Sequence, residues 1–167
     1  MNAIAAVSLD WGIGRDNQLL FHIKEDMKRF RSLTSGGMVL MGRKTLDSMP
    51  GGKPLPNRRN IVITRQADFS RPGVETAASP EEAVRMAAGW DPETVWVIGG
   101  GEIYRALLPY CRRCFLTQVY DRPACDSFFP NLDSLSNWQP FRWDALQVEG
   151  ELAYQFIEYL NQHPERL

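Results

Sequence analysis

The sequence predicts an α/β fold: a mostly parallel central sheet of about eight strands, helices on both faces and a C-terminal antiparallel hairpin. Three observations carry this expectation. Apolar, often β-branched runs alternate with helix-periodic segments along the whole chain, as strands alternate with crossover helices. Few of the runs alternate apolar with polar residues, which marks strands covered on both faces. Near the C-terminus, the strand-like stretches Trp138–Val148 and Leu152–Leu160 flank Glu149-Gly150-Glu151, a turn between two long strands. At 167 residues, with no internal repeat and no linker, the chain is expected to form one domain over residues 1–167.

The first strand is expected at Ala3–Leu9, followed by a surface loop from Asp10 to His22 that contains Gly12 and Gly14. A helix over Lys24–Ser35 follows from Ile23, Met27, Phe30 and Leu33, which recur with the helical period and form a core-facing stripe. Met38–Met41 is a strand that runs into a helix over Arg43–Met49. Pro50 to Asn57 holds three prolines and two glycines and reads as a second loop, of the kind that carries function. Asn60–Thr64 is the next strand. Ser79, with Pro80 behind it and Glu82 three residues on, starts a helix over Pro80–Ala88. Strands at Val95–Ile98 and Cys114–Tyr120 enclose a helix over Glu102–Leu108, and the hairpin completes the order.

Composition narrows the function. Apolar residues make 44% and charged residues 23% of the chain, as in globular domains, and 19 cationic against 20 acidic side chains leave a net charge of −1. No global field draws the chain to nucleic acid or to an anionic membrane surface. No apolar run approaches the roughly 18 residues that span a bilayer, and Met1-Asn2 does not open a secretory signal. An odd number of cysteines, three, fits a reducing compartment, so cytoplasm is expected. Cys111 and Cys114 form a CxxC, but only Cys125, His22 and His163 remain as further ligands, so no metal is expected. The histidines have no GxSxG partner for a hydrolase triad. Trp11, Trp90, Trp96, Trp138 and Trp143 are scattered and read as packing.

Two constellations can carry chemistry. Asp26 lies within the apolar stripe of its helix, four residues before Phe30. A carboxylate there either takes up a proton at raised pH or meets a cationic partner; the plain alternative is that it sits in the first turn, where the helix dipole favours acids. The second constellation is a set of strand ends. Met38–Met41 leads into Gly42-Arg43-Lys44-Thr45, where free N–H groups, two cations and a hydroxyl at a helix start suit a phosphate. Val95–Ile98 leads into Gly99-Gly100-Gly101 before Tyr104, and Ile61–Ile63 into Thr64-Arg65. At the carboxyl ends of neighbouring parallel strands these turns would meet in one crevice. Gly37 to Gly42 has Walker spacing but strand-like content, and the glycine triplet lacks the full Rossmann pattern, so neither motif alone identifies a nucleotide enzyme.

Taken together and in order, these residues resemble the dihydrofolate reductase family from Ile4 to about Leu160. The motifs that carry the resemblance are Ala5-Ala6, Gly12-Ile13-Gly14, Asp26 with Phe30, Met41-Gly42-Arg43-Lys44-Thr45, Pro54-Leu55-Pro56 with Arg58, Val97 to Tyr104, Leu116-Thr117, and Asp126 before Phe129-Pro130. The resemblance implies hydride transfer from NADPH to the pterin ring of dihydrofolate, with protonation of the adjacent nitrogen. By the same resemblance Asp26 grips the pterin edge, Thr117 steadies that carboxylate and Phe21 borders the chemistry. Ile4, Ala5, Leu19, Met27, Phe30, Met49, Leu55 and Ile98 line the substrate, and Arg58 clasps its glutamate carboxylate. On the cofactor side it implies Ala6, Ile13, Gly14, Asn17 and Leu19 near the nicotinamide. Gly42, Arg43, Lys44, Thr45, Gly100, Gly101, Glu102, Ile103 and Tyr104 form the phosphate cradle beside Ile98, with Ile63, Thr64 and Arg65 around the extra ribose phosphate. Asp10 to His22 resembles the family's mobile lid. A monomer is expected.

Four positions depart from the family pattern: Leu20-Phe21 replace a common Pro-Trp, Lys24 replaces a frequent proline, and Glu102 stands where some relatives place an Arg. The loss of the indole N–H predicts that a pocket water is lost or held differently, and Glu102 predicts that Arg43 and Arg65 carry more of the phosphate contact. The alternatives are a related pteridine reductase or riboflavin-pathway pyrimidine reductase of the same fold, a nucleotide-binding module without catalysis, and a thiol redox protein using Cys111 and Cys114.

Overall fold

The computed structural model describes residues 1–167. Its strands are β1 (Asn2–Val7), β2 (Gly12–Arg15), β3 (Gln18–Leu19), β4 (Met38–Gly42), β5 (Arg59–Ile63), β6 (Val74–Ala77), β7 (Val95–Gly99), β8 (Arg113–Val119), β9 (Ser127–Phe128), β10 (Trp138–Trp143), β11 (Gln147–Glu149) and β12 (Leu152–Asn161). The helices are α1 (Lys24–Thr34), α2 (Arg43–Ser48), α3 (Pro80–Ala87) and α4 (Gly101–Leu107). The main sheet runs β10-β12-β8-β1-β7-β4-β5-β6, with β11 also on β12. From β8 to β6 every pair is parallel, and β12 is antiparallel to β8.

The apolar runs are continuous because both faces of the sheet are covered. Along β4, Met38 and Leu40 belong to a core shared with Ala83 and Ala87 of α3 and Tyr104 and Leu107 of α4. Val39 and Met41 point into a second core with Leu46 of α2, against which Phe30 and Leu33 of α1 pack. All four β4 side chains are fully buried, and truncating one such residue to alanine costs about 2–5 kcal/mol. The start of α3 forms as its sequence requires: Ser79 Oγ accepts from the Glu82 N–H at 3.1 Å, while Glu82 Oε2 accepts from the Ala78 N–H at 2.5 Å.

Three features differ from the expectation. The Asp10–His22 loop contains strands β2 and β3, joined at Asp16 and Asn17, whose φ angles of 52° and 58° give the tight hairpin twist. With β9 these form a separate three-stranded sheet. The long strand expected over Trp138–Val148 breaks after Trp143; β10 pairs with the far half of β12 and β11 with its near half. The short edge strand β6, half of it exposed, and the division of the expected strand into β10 and β11 bring the main sheet to nine strands.

Candidate active site

Asp26 lies in the first turn of α1 and is also half-buried against the sheet, so both features expected of it coexist. The Thr117 hydroxyl, on β8, donates to Asp26 Oδ1 at 2.5 Å. Burial pushes the carboxyl above its ordinary range, while the Thr117 hydrogen bond and the positive charge of Arg29 pull it back down. Thr117 itself is buried, and its position follows from the register of β8 with β1, where it pairs with Ala6.

Around this carboxyl the sequence-expected walls assemble. Ile4, Phe30, Leu55 and Ile98 share one apolar cluster with Trp96 and Phe115. Ala5 and Ala6 are half-buried on β1, and Met49 is half-buried at the end of α2. Met27 departs from the core-facing stripe: α1 anchors at one end through Ile23 and at the other through Phe30 and Leu33, and between them Met27 is 44% exposed. Arg58 donates through Nε to Thr34 Oγ1 at 2.9 Å and through a terminal nitrogen to the Pro56 carbonyl at 3.1 Å. Its guanidinium also lies 5.8 Å from the Phe30 ring centre. Arg31, which the sequence reading passed over, adds a second positive charge beside it. The pair makes an anion-attracting end to the apolar wall.

The strand ends meet as the parallel topology requires. β4 and β7 are hydrogen-bonded neighbours, so the starts of α2 and α4 lie side by side, both with glycine N-caps and no side-chain cap. The spacing leaves a cradle that a side chain would fill. A Cβ on Gly101 would come within 2.9 Å of the Phe128 carbonyl, and one on Gly100 would touch Thr45 Oγ1 at 3.6 Å. A Cβ on Gly42 would press on Ile103 at 3.2 Å. Free N–H groups over glycine at two helix starts fit a pyrophosphate. Tyr104 is buried under this turn and donates its hydroxyl to the Ile4 carbonyl at 2.6 Å, linking the cradle to β1.

The cationic residues differ in their surroundings. Arg43 is engaged by Asp47 at 3.0 Å, and Asp47 also holds Arg71 at 2.9 Å. Arg65 is exposed beside half-buried Thr64 at the end of β5, after buried Ile63, and Lys44 and Glu102 point outward. The phosphate contact expected of Arg43 therefore competes with an internal acid, whereas Arg65 makes no ion pair.

The Asp10–His22 segment is tied to β9 and the residues just before it. Gly14 accepts from the Asp126 N–H at 3.0 Å, and the Asp126 carboxylate accepts from the Asp16 N–H at 3.0 Å. Gly12 is packed so closely that a Cβ would lie 2.5 Å from Cys125 Sγ. Ile13 is buried, while Asn17 and Leu19 are exposed. Phe21 is buried with Ile23, Val119, Tyr154 and Phe156, which makes it a packing residue with no polar atom to hold a water.

Lys24, at the position where the family often has proline, donates its backbone N–H to both oxygens of Glu149, at 3.0 and 3.2 Å. The cap of the Asp26 helix thus comes from the final hairpin. Cys111 and Cys114 are fully buried and free; burial pushes Cys111 to about 12 and Cys114 well above its ordinary range. Such thiols are inert, which removes the redox alternative.

A sequence model of the family described as dihydrofolate reductase matches residues 1–161. Among curated relatives, the chain is similar to the dihydrofolate reductase of Mycobacterium tuberculosis, 43% identical over 151 residues and covering 88% of this chain and 89% of that one. It is also similar to that of Neisseria meningitidis, 40% identical over 158 residues, with 94% and 95% covered. Among solved structures, dihydrofolate reductase from Enterococcus faecalis complexed with NADP(H) and RAB-propyl aligns at a TM-score of 0.86 and 31% identity, covering 96% and 95% of the two chains. Similar in sequence and in fold over nearly its whole length, the chain belongs to the dihydrofolate reductase family.

Proposed function

We propose that this chain reduces 7,8-dihydrofolate to 5,6,7,8-tetrahydrofolate with NADPH, using Asp26 as the group that grips the pterin. The observation that carries the assignment of roles is the half-buried Asp26 carboxylate, steadied by Thr117 of β8, four residues before Phe30 of the apolar cluster, with β1 between its β8 anchor and the glycine turn that follows β7. NADPH, when bound, supplies the hydride.

Thr117 occupies one lone pair of Asp26 Oδ1, so the remaining acceptor sites are available to the amino group and ring nitrogen of a pterin. That bidentate contact orients the ring, and its negative charge favours the protonated imine, with solvent as the proton source. Ile4, Phe30, Leu55 and Ile98 exclude water from the ring, and Arg58 with Arg31 receives the glutamate carboxylates. Gly42 to Thr45 and Gly100 to Ile103 hold the pyrophosphate, Ala6, Ile13 and Gly14 border the nicotinamide, and Thr64 and Arg65 receive the ribose phosphate. Residues 1–167 act as one unit, as a monomer, in a reducing compartment such as the cytoplasm; no helix is long and apolar enough to cross a membrane.

The riboflavin-pathway alternative is not favoured, because the family match and the Asp26 and Arg58 pair both point to folate. The test is NADPH oxidation by purified protein with dihydrofolate, without it, and with a pyrimidine substrate in its place. Dihydrofolate-dependent oxidation is expected, and oxidation only with the pyrimidine would overturn the assignment.

A further inference from the structure

Helix α1 delivers two opposite charges to one strip of sheet. Asp26 and Arg29 are three positions apart, which places them about one turn from each other on the same side of the helix. The strip beneath is formed by β8 and β12, whose antiparallel register sets Thr117 opposite Phe156 and Phe115 opposite Glu158. Asp26 takes the Thr117 hydroxyl. The Arg29 guanidinium sits 4.2 Å from the ring centre of Phe156, the cross-strand partner of Thr117, and 5.7 Å from that of Phe115. Cross-strand partners are near neighbours, so the guanidinium stands beside the carboxylate's own anchor.

Arg29 is not used by the reading above, yet its placement is built. Two aromatic faces hold a planar cation in a fixed orientation, and a guanidinium cannot shed its proton in a protein. The other charged groups of this region are Glu158 on β12 and Asp144 between β10 and β11. Glu158 is buried and faces Arg113 of β8 at 3.6 Å, and Arg113 in turn reaches Glu93 at 3.5 Å. No carboxylate lies within ion-pair distance of Arg29, and its charge is felt by Asp144, Asp26 and Glu158, in that order of strength. Tyr154 of β12 and Tyr104 of α4 also sense the Asp26 charge, and Glu25 of α1 and Glu149 of the final hairpin act on Tyr154. The tyrosines are uncharged at neutral pH, which leaves Arg29 as the cation of the set.

We propose that Arg29 is a charge-setting positioning residue: clamped by Phe156 and Phe115, it holds a fixed positive charge beside the Asp26 carboxyl and its Thr117 anchor. The direction agrees with the opposing influences on Asp26, where burial raises the carboxyl and Arg29 lowers it. The link to turnover rests on the Asp26 reading; the electrostatic link does not.

The test follows the Asp26 carboxyl by carbon-13 NMR in aspartate-labelled full-length protein, assigned by its loss in Asp26→Asn, and in parallel the pH profile of kcat/KM for dihydrofolate. In Arg29→Gln and Arg29→Met the protonated-to-ionised ratio of Asp26 at fixed pH is expected to rise about threefold, the effect of one counter-charge across a partly solvated gap. Arg29→Lys, which retains charge, is expected to restore the parent ratio, and the pH profile is expected to move with the titration. An unmoved titration in whichever neutral variant folds would overturn the proposal. So would an equal rise in Arg29→Lys, because packing and not charge would then be what Arg29 supplies. Full turnover by Asp26→Asn would instead remove the reading beneath it while leaving the titration result intact.

Discussion

Asp26→Asn keeps the shape of the side chain and removes its charge. In the structure one carboxylate oxygen is taken by Thr117, and the remaining acceptor sites are those available to a bound ring. Hydrogen bonds to a charged group contribute about 1.5–3 kcal/mol each. Asn keeps one acceptor and sets an N–H where the second acceptor stood, so a two-point contact to the pterin loses about 3–6 kcal/mol at most. That predicts a fall in kcat/KM for dihydrofolate of roughly 10²- to 10⁴-fold at neutral pH. NADPH binding is expected to be unchanged, because the cradle lies on the α2 and α4 starts.

The same substitution has a definite sign in stability. Burial raises the folded-state carboxyl above its ordinary range, so the folded protein holds this proton more tightly than the unfolded chain does. The stabilising contribution is complete below the ordinary carboxylate range and is lost as pH rises through the folded-state value. Asp26→Asn escapes that loss, so at pH 7 its melting temperature is expected to equal or exceed the parent's, the gap closing below about pH 4. Steady-state NADPH oxidation, NADPH titration by fluorescence and melts at both pH values make the assay. A kcat/KM within about threefold of the parent would remove Asp26 from the mechanism.

Other outcomes test the remaining assignments. Arg65→Ala is expected to weaken NADPH much more than NADH in a binding titration, and equal weakening would exclude Arg65 from the ribose phosphate. Glu149→Ala removes the cap from the Lys24 N–H and is expected to cost about 1 kcal/mol, or about 2–4 °C in Tm. In a Lys24→Pro background, which lacks that N–H and is compatible with the extended Ile23 before it, the Glu149 substitution is expected to cost nothing further. Replacing Cys111 and Cys114 together by Ala is expected to leave kcat unchanged, and a thiol reagent is expected to label only half-buried Cys125 in the folded protein. Loss of turnover with an intact fold would restore a role for the buried thiols.

Much of this architecture was legible because it is written in local periodicity. Met38–Met41 and Val95–Ile98 are apolar without alternation because both of their faces are covered. Ser79, Pro80 and Glu82 start α3 through contacts within a few residues. Asp26 stood out as an acid inside an apolar stripe, and the glycine-ended strands predicted a shared crevice that β4 and β7 form. Short strands carry too few residues for a period, so β2 and β3 were read as loop and β6 and β9 were given no assignment. The break between β10 and β11 depends on where ten-residue β12 changes partners, which no local pattern records.

By itself, then, the sequence determined the parallel core, the acid-bearing helix and the glycine turns, since each follows from side chains a few positions apart. Only the tertiary structure decided which charges remain available. It brings Arg71 onto Asp47, caps Lys24 with a carboxylate 125 positions away, and brings Arg29 onto Phe156. The reason is physical: backbone periodicity is local, whereas a charge is settled by its nearest partners in space, which the folded register of distant strands and helices selects.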